Sequence, residues 1–168
     1  MYRIHTPVFG KAIENLKIGD MVLLSGTIYA GRDAVLPRIV RLYEENRLGE
    51  IGLNLKGGVI FHSAVSVAGV GPTSSNKLEI EKSIPLLSEA GIKIHIGKGA
   101  IGIDTIEALK VHASAFAVMP PVTALLEDRT VSRTVVAYPE LGMEAFYSLE
   151  VVDFPIIIAA VNGESIYK

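Results

Sequence analysis

The chain has 168 residues, 49% hydrophobic and 20% charged, a balance that excludes disordered and fibrous classes and fits a single globular domain over residues 1–168. A domain near this size buries about 70% of the surface its extended chain exposes, so a core can form without disulfides or a structural metal. Sixteen Lys plus Arg against eighteen Asp plus Glu give a formal net charge of -2, and no window gathers a basic stripe dense enough to follow a phosphate backbone; nucleic acid is not an expected partner.

Cysteine is absent, which removes a disulfide framework, a thiolate nucleophile, a Cys-based zinc site and any iron–sulfur cluster ligated by this chain. The opening residues Met1 to His5 carry no apolar leader core, and the most apolar stretch, Pro155 to Val161, is too short to span a bilayer. The expectation is a soluble, cytoplasmic protein with no membrane partner.

Short apolar runs bounded by Gly or polar residues predict buried strands at Met21 to Leu24, Gly58 to Phe61, Ile92 to Ile96, Ala115 to Met119, Val131 to Ala137 and Ile156 to Val161. Helical spacing falls between them. Ile39, Leu42 and Tyr43 repeat at three to four residues after Pro37, a favoured first-turn residue; Leu78, Ile84, Leu86 and Leu87 lie in a charged segment ending at Gly91. Asp104 is placed to cap a helix running to His112. Strands alternating with helices predict an α/β domain with a mixed, partly parallel sheet, and Val131 to Val161 reads as an all-β stretch able to form a second sheet layer.

Gly97-Lys98-Gly99-Ala100-Ile101-Gly102 matches a dinucleotide-binding glycine pattern, but no acidic residue lies between Ser114 and Pro120 to hold a ribose. A phosphate-binding P-loop also fails, because Lys98 precedes Gly99 and not a hydroxyl residue. His5, His62, His95 and His112 are too dispersed for a zinc signature, so no metal ligand is assigned. Ser25 closes the first apolar run with no assignable base, which gives a serine hydrolase little support.

Two segments carry more. Gly26 to Asp33 places Arg32 and Asp33 in a connection between a strand and a helix, where open α/β sheets bind ligands; the alternative is a solvated Arg32 beside a helix-capping Asp33. Gly71-Pro72-Thr73-Ser74-Ser75 brings three hydroxyls to the start of the next helix, as anion ligands or as plain N-caps. Arg32, Lys77 and Lys98 with this turn could hold a small dicarboxylate, Arg through paired hydrogen bonds and Lys as a point charge.

These segments resemble the β subunit, or C-terminal domain, of iron–sulfur class I fumarate hydratases and L-tartrate dehydratases. The resemblance runs through Leu16 to Asp20, Ser25 to Ile28, Arg32 to Ala34, Gly71 to Ser75, Ile96 to Gly99, Glu140 to Ala145 and Glu150 to Pro155. It implies a swivelling β/β/α-type domain that closes over a substrate, in a hetero-oligomer with a cluster-binding α subunit holding a [4Fe-4S] cluster on three cysteines, where the unligated iron acts as a Lewis acid. It further implies a hydro-lyase acting on a small dicarboxylate, fumarate and malate ahead of tartrate. Thr73 and Lys98 would be catalytic, Thr73 as proton-transfer hydroxyl. Arg32, Asp33, Ser74, Ser75 and Lys77 would bind substrate. The chain departs from the family pattern where Lys77 replaces Arg, where Ala30-Gly31 precedes Arg32, and where Phe61-His62-Ser63-Ala64 replaces a tyrosine-containing segment. A non-catalytic carboxylate-binding or assembly module and an NAD-binding domain are the alternatives.

Overall fold

The computed structural model describes residues 1–66, 69–73, 77–120 and 129–167, with the backbone alone for 66, 69–73 and 77–79. Its strands are β1 (Tyr2–His5), β2 (Met21–Ala30), β3 (Val59–Phe61), β4 (Ser63–Ser66), β5 (Gly69–Thr73), β6 (Ile94–Gly97), β7 (Ala115–Val118), β8 (Thr130–Ala137), β9 (Phe146–Val161) and β10 (Glu164–Ser165). The helices are α1 (Gly10–Glu14), α2 (Leu36–Glu44), α3 (Lys77–Glu89) and α4 (Ile103–Val111).

Strands β2, β3, β6 and β7 run parallel, each joined to the next, and β9 runs antiparallel to both β7 and β2, so the sheet closes on itself. A closed barrel leaves these strands no open edge. β1 adds parallel to β2, while β8 and β10 add antiparallel to β9. The expected α/β class with a mixed sheet is what the chain adopts. β3 and β6, in the middle of the parallel run, are buried at every position because both of their faces are covered. Val22, Leu24, Ile28, Phe61, Ile94, Ile96, Phe154 and Ile156 fill the barrel, with Phe61 and Phe154 packed edge to face at 5.9 Å between centroids.

Outside the barrel, α2 buries Leu36, Ile39 and Val40 against Ile60, Leu87 and Phe146. Ile80 and Ile84 of α3 join Leu109 of α4 over Phe116. Among the described residues no helix is long and apolar enough to cross a membrane.

Three expectations need correction. The strand opening at Met21 does not stop at Leu24 or Ser25 but continues to Ala30, because Gly26 absorbs an irregularity in mid-strand. Asp104 does not cap α4: Gly102 is the N-cap, its N–H donating to the Glu81 carboxylate, while Asp104 sits inside the first turn, where its charge suits the helix dipole. Val131 to Ala137 is a strand but not a buried one, nor part of a second layer; Val131 is 69% exposed and β8 lies along the first half of β9 in the main sheet.

At the irregularity, Ser25 stands opposite both Val152 and Asp153, and its Oγ accepts the Asp153 N–H at 3.0 Å. Asp153 adopts φ 50° and Gly26 φ 104°, and a Cβ on Gly26 would fall onto Thr6 Oγ1 and lie 3.0 Å from His5 Cε1. Ser25 thus has a structural role that agrees with its lack of hydrolase context. Gly26→Ala should lower stability by about 1–3 kcal/mol, read as a Tm several degrees below that of the parent chain.

Candidate functional site

The parallel strands share a direction, so their carboxyl ends meet at one edge of the barrel. Ala30 of β2 pairs with Phe61 of β3, and Phe61 pairs with Ile96 of β6, which places the residues that follow each strand side by side. Arg32 and Asp33 follow β2, His62 follows β3 and Lys98 follows β6. Open and closed α/β sheets alike bind ligands at this end, where loops are free to vary over a fixed scaffold.

Gly31 makes the exit from β2 possible: its N–H donates to the Phe61 carbonyl at 3.0 Å, and a Cβ there would lie 2.7 Å from Val35 Cγ1. The Arg32 carbonyl then accepts the N–H groups of Val35 and Leu36, which turns the chain into α2. The N-cap of that helix is Val35, two residues beyond Asp33, and its side chain makes no capping bond. Nor is Arg32 simply solvated. Its Nε donates to Glu144 Oε1 at 2.6 Å and its Nη2 pairs with the same oxygen, in side chains only 25% and 24% exposed. The hydrogen bond to Glu144, ahead of that carboxylate's charge, raises the Arg32 pKa above its ordinary value. Glu144 Oε2, by contrast, is buried with no hydrogen-bond partner among the described residues.

Arg32, Asp33, Leu36 and Pro37 from the β2–α2 connection and the start of α2, His62 just after β3, and Ile80 and Ser83 from α3 line one narrow cleft, too tight in this form to admit a water-sized sphere. Lys98 is exposed at the same edge and is not part of that lining. Backbone pairing sets Thr73 opposite Ser63, one residue beyond His62, and Lys77 opens α3. The side chains of Thr73 and Lys77 lie outside the described set, as do Ser74 and Ser75 entirely. The structure therefore brings Arg32 and Asp33 together in a cleft and sets Lys98 on the same rim.

Two groups were not legible beforehand as site residues. Glu144 lies 112 positions from Arg32, and only the Glu140 to Ala145 signature hinted that its segment mattered. His62 and His95 are 1% and 0% exposed and hydrogen-bonded to each other, His62 Nε2 to His95 Nδ1 at 3.1 Å, with Ser88 Oγ 2.8 Å from His95 Nε2. Burial lowers the His62 pKa to about 4, and burial together with the charge His62 can carry lowers that of His95 well below the usual range. Both rings are neutral at pH 7. The glycine-rich turn from Gly97 to Gly102 does join a strand to a helix, but the helix N-terminus it opens already holds the Glu81 carboxylate, which also accepts from Thr105 Oγ1 at 3.3 Å. A pyrophosphate would have to displace that anion.

A closed barrel of mixed strands with external helices, bearing a cleft lined by Arg32, Asp33 and His62 at the carboxyl ends of its parallel strands, defines a swivelling β/β/α-type domain. The match of residues 3–168 to the model described as "Fumarase C-terminus" shows that the chain belongs to that family. It is 27% identical to the L(+)-tartrate dehydratase subunit beta of Escherichia coli K12, over 94% of this chain and 81% of that one. It is 28% identical to the protein named "Putative L(+)-tartrate dehydratase subunit beta" of Methanocaldococcus jannaschii, over 94% of this chain and 87% of the other. A further relative, named "Putative fumarate hydratase class I", from Geobacillus stearothermophilus, is 28% identical over 67% of this chain and 22% of its own length.

Proposed function

We propose that this chain is the β half of a hydro-lyase that adds water to, or removes it from, a small hydroxy-dicarboxylate, fumarate and malate being favoured over tartrate. The observation that carries the reading is the family match over residues 3–168, in a chain whose Arg32, Asp33 and His62 line one cleft. In this reading Arg32 holds a substrate carboxylate, which competes with Glu144 for the guanidinium or engages its remaining N–H groups. Lys98 supplies a second positive charge from the rim, and Asp33, Ser74, Ser75 and Lys77 contact the substrate around it. Thr73 takes up the carbon-bound proton, a task that requires neighbouring cations because a free hydroxyl is a weak base.

The [4Fe-4S] cluster that goes with this chemistry does not fit the residues of this chain. The sequence has no cysteine, and among the described residues no three His, Asp or Glu side chains converge to hold a metal. The cluster accordingly belongs to an α subunit, and this chain acts in a hetero-oligomer, in the cytoplasm, by closing over substrate bound there.

Purified anaerobically with iron and sulfide, the isolated chain should be folded, colourless and inactive. Co-expression with a neighbouring reading frame that encodes a three-cysteine partner should yield a brown complex that interconverts fumarate and malate, or dehydrates tartrate. Robust fumarate hydration by the chain alone would defeat the reading. The same defeat would follow from a stable, cluster-loaded complex that is inert toward all three acids.

A further inference from the structure

The Ser88–His95–His62 chain runs from the inner face of α3, through the centre of β6, to the cleft beside Arg32, and all three side chains are at most 2% exposed. Two neutral imidazoles have two N–H protons between them, so the direction of each hydrogen bond in the chain is decided by its ends. At the buried end the hydroxyl settles it. Among the described residues the hydrogen-bond partner of Ser88 Oγ is His95 Nε2. Were Ser88 to accept from that nitrogen, its own proton would be buried without an acceptor, a costly arrangement, whereas an unused oxygen lone pair costs little. Ser88 therefore donates to His95 Nε2. His95 must then carry its proton on Nδ1 and donate to His62 Nε2, and His62 must carry its proton on Nδ1. No described residue is hydrogen-bonded to that Nδ1, and His62 is part of the cleft lining.

We propose that His62 is a substrate-binding residue whose Nδ1–H, fixed in that tautomer by Ser88 and His95, donates a hydrogen bond to an oxygen of the hydroxy-dicarboxylate beside Arg32. The assignment rests on the hydro-lyase reading above and names a group that reading does not include. It gives the site a directional donor without a second full charge next to the guanidinium. Burial keeps the ring neutral, so the donor persists at the pH where the carboxylates of the substrate are ionised. The ring orientation is also held: the His62 backbone N–H donates to the Ile96 carbonyl at 2.8 Å, and the two imidazoles meet at a tilt of 43° with centroids 5.4 Å apart.

Two measurements test this. In the full-length chain labelled with nitrogen-15, long-range imidazole correlations at pH 7 should show both His62 and His95 protonated on Nδ1, and Ser88→Ala should abolish that uniform state. An Nε2–H tautomer at His62 in the parent chain overturns the proposal. In the chain reconstituted with its cluster-bearing partner and assayed with L-malate, His62→Phe should lower kcat/KM by about tenfold to a hundredfold, chiefly through KM, as expected for one hydrogen bond to a charged group. His62→Asn, whose amide N–H reaches about as far as Nδ1, should recover to within about threefold of the parent. Unimpaired His62→Phe, or equal loss in both variants, overturns the proposal while the hydro-lyase reading stands. A parent pair inert toward fumarate, malate and tartrate overturns that reading and the proposal with it.

Discussion

Replacing Arg32 with alanine should lower kcat/KM of the reconstituted enzyme by about thirtyfold to several thousandfold, the consequence of leaving a substrate carboxylate unpaired in a closed site, about 2–5 kcal/mol. The pairing with Glu144 makes the outcome more informative than for a solvated arginine. Loss of the guanidinium also strands a partly buried carboxylate, so stability should fall too, by about 1–2 kcal/mol. Glu144→Gln separates the two effects. It removes the competing anion and keeps Arg32 charged, so it should reduce Tm modestly while substrate KM stays level or falls. Malate kinetics beside thermal melts for both variants provide the check. Were the two variants to lose activity in proportion to Tm, Arg32 would be a structural residue.

The second large effect concerns acid. His62 and His95 are held neutral by burial, with the His62 pKa at about 4 against about 6.5 in an unfolded chain. A depressed pKa means that the unfolded state binds protons more readily. The stability these rings contribute is complete above about pH 6.5 and is lost as pH falls toward 4, with a slope of up to ~1.4 kcal/mol per pH unit for each histidine. Because the rings touch, protonating one disfavours protonating the other. Urea unfolding between pH 7.5 and 4.5 should show a falling midpoint, and His62→Asn, which has no titratable ring, should flatten that fall markedly. A variant with the same pH dependence as the parent would show that the histidine pair is not its source.

Much of the fold could be read from local pattern, since a buried parallel strand is written as an unbroken apolar run and a helix as an apolar stripe. Gly58 to Phe61, Ile92 to Ile96 and Ala115 to Met119 became β3, β6 and β7 within a residue or two. β8 misled because Val131, Val135 and Val136 give it β propensity, yet what lies against a strand, not its own composition, decides burial. The site was half legible. Arg32 and Asp33 stood out because charged residues sat between a strand and a helix. Glu144 and the His62–His95 pair did not, because their meaning is a contact across 112 and 33 positions that exists only once distant segments are assembled side by side. Family resemblance pointed to His62 only as a departure from pattern, without the neighbours that give it a chemical state.

The geometry of β9 bears on how the barrel comes into being. This one strand borders β2 and β7 to close the barrel and also carries β8 and β10, yet it begins only at Phe146. Until it is synthesised, β2 and β7 are unpaired margins of a curved parallel sheet, and every contact that seals them spans a large separation along the chain. Loop-closure entropy must be met before those contacts return anything, so barrel closure is expected to be late and comparatively slow. Once seated, the strand ties first and last segments into one cooperative unit, in which Arg3 and Asp153, 150 positions apart, meet at 2.6 Å.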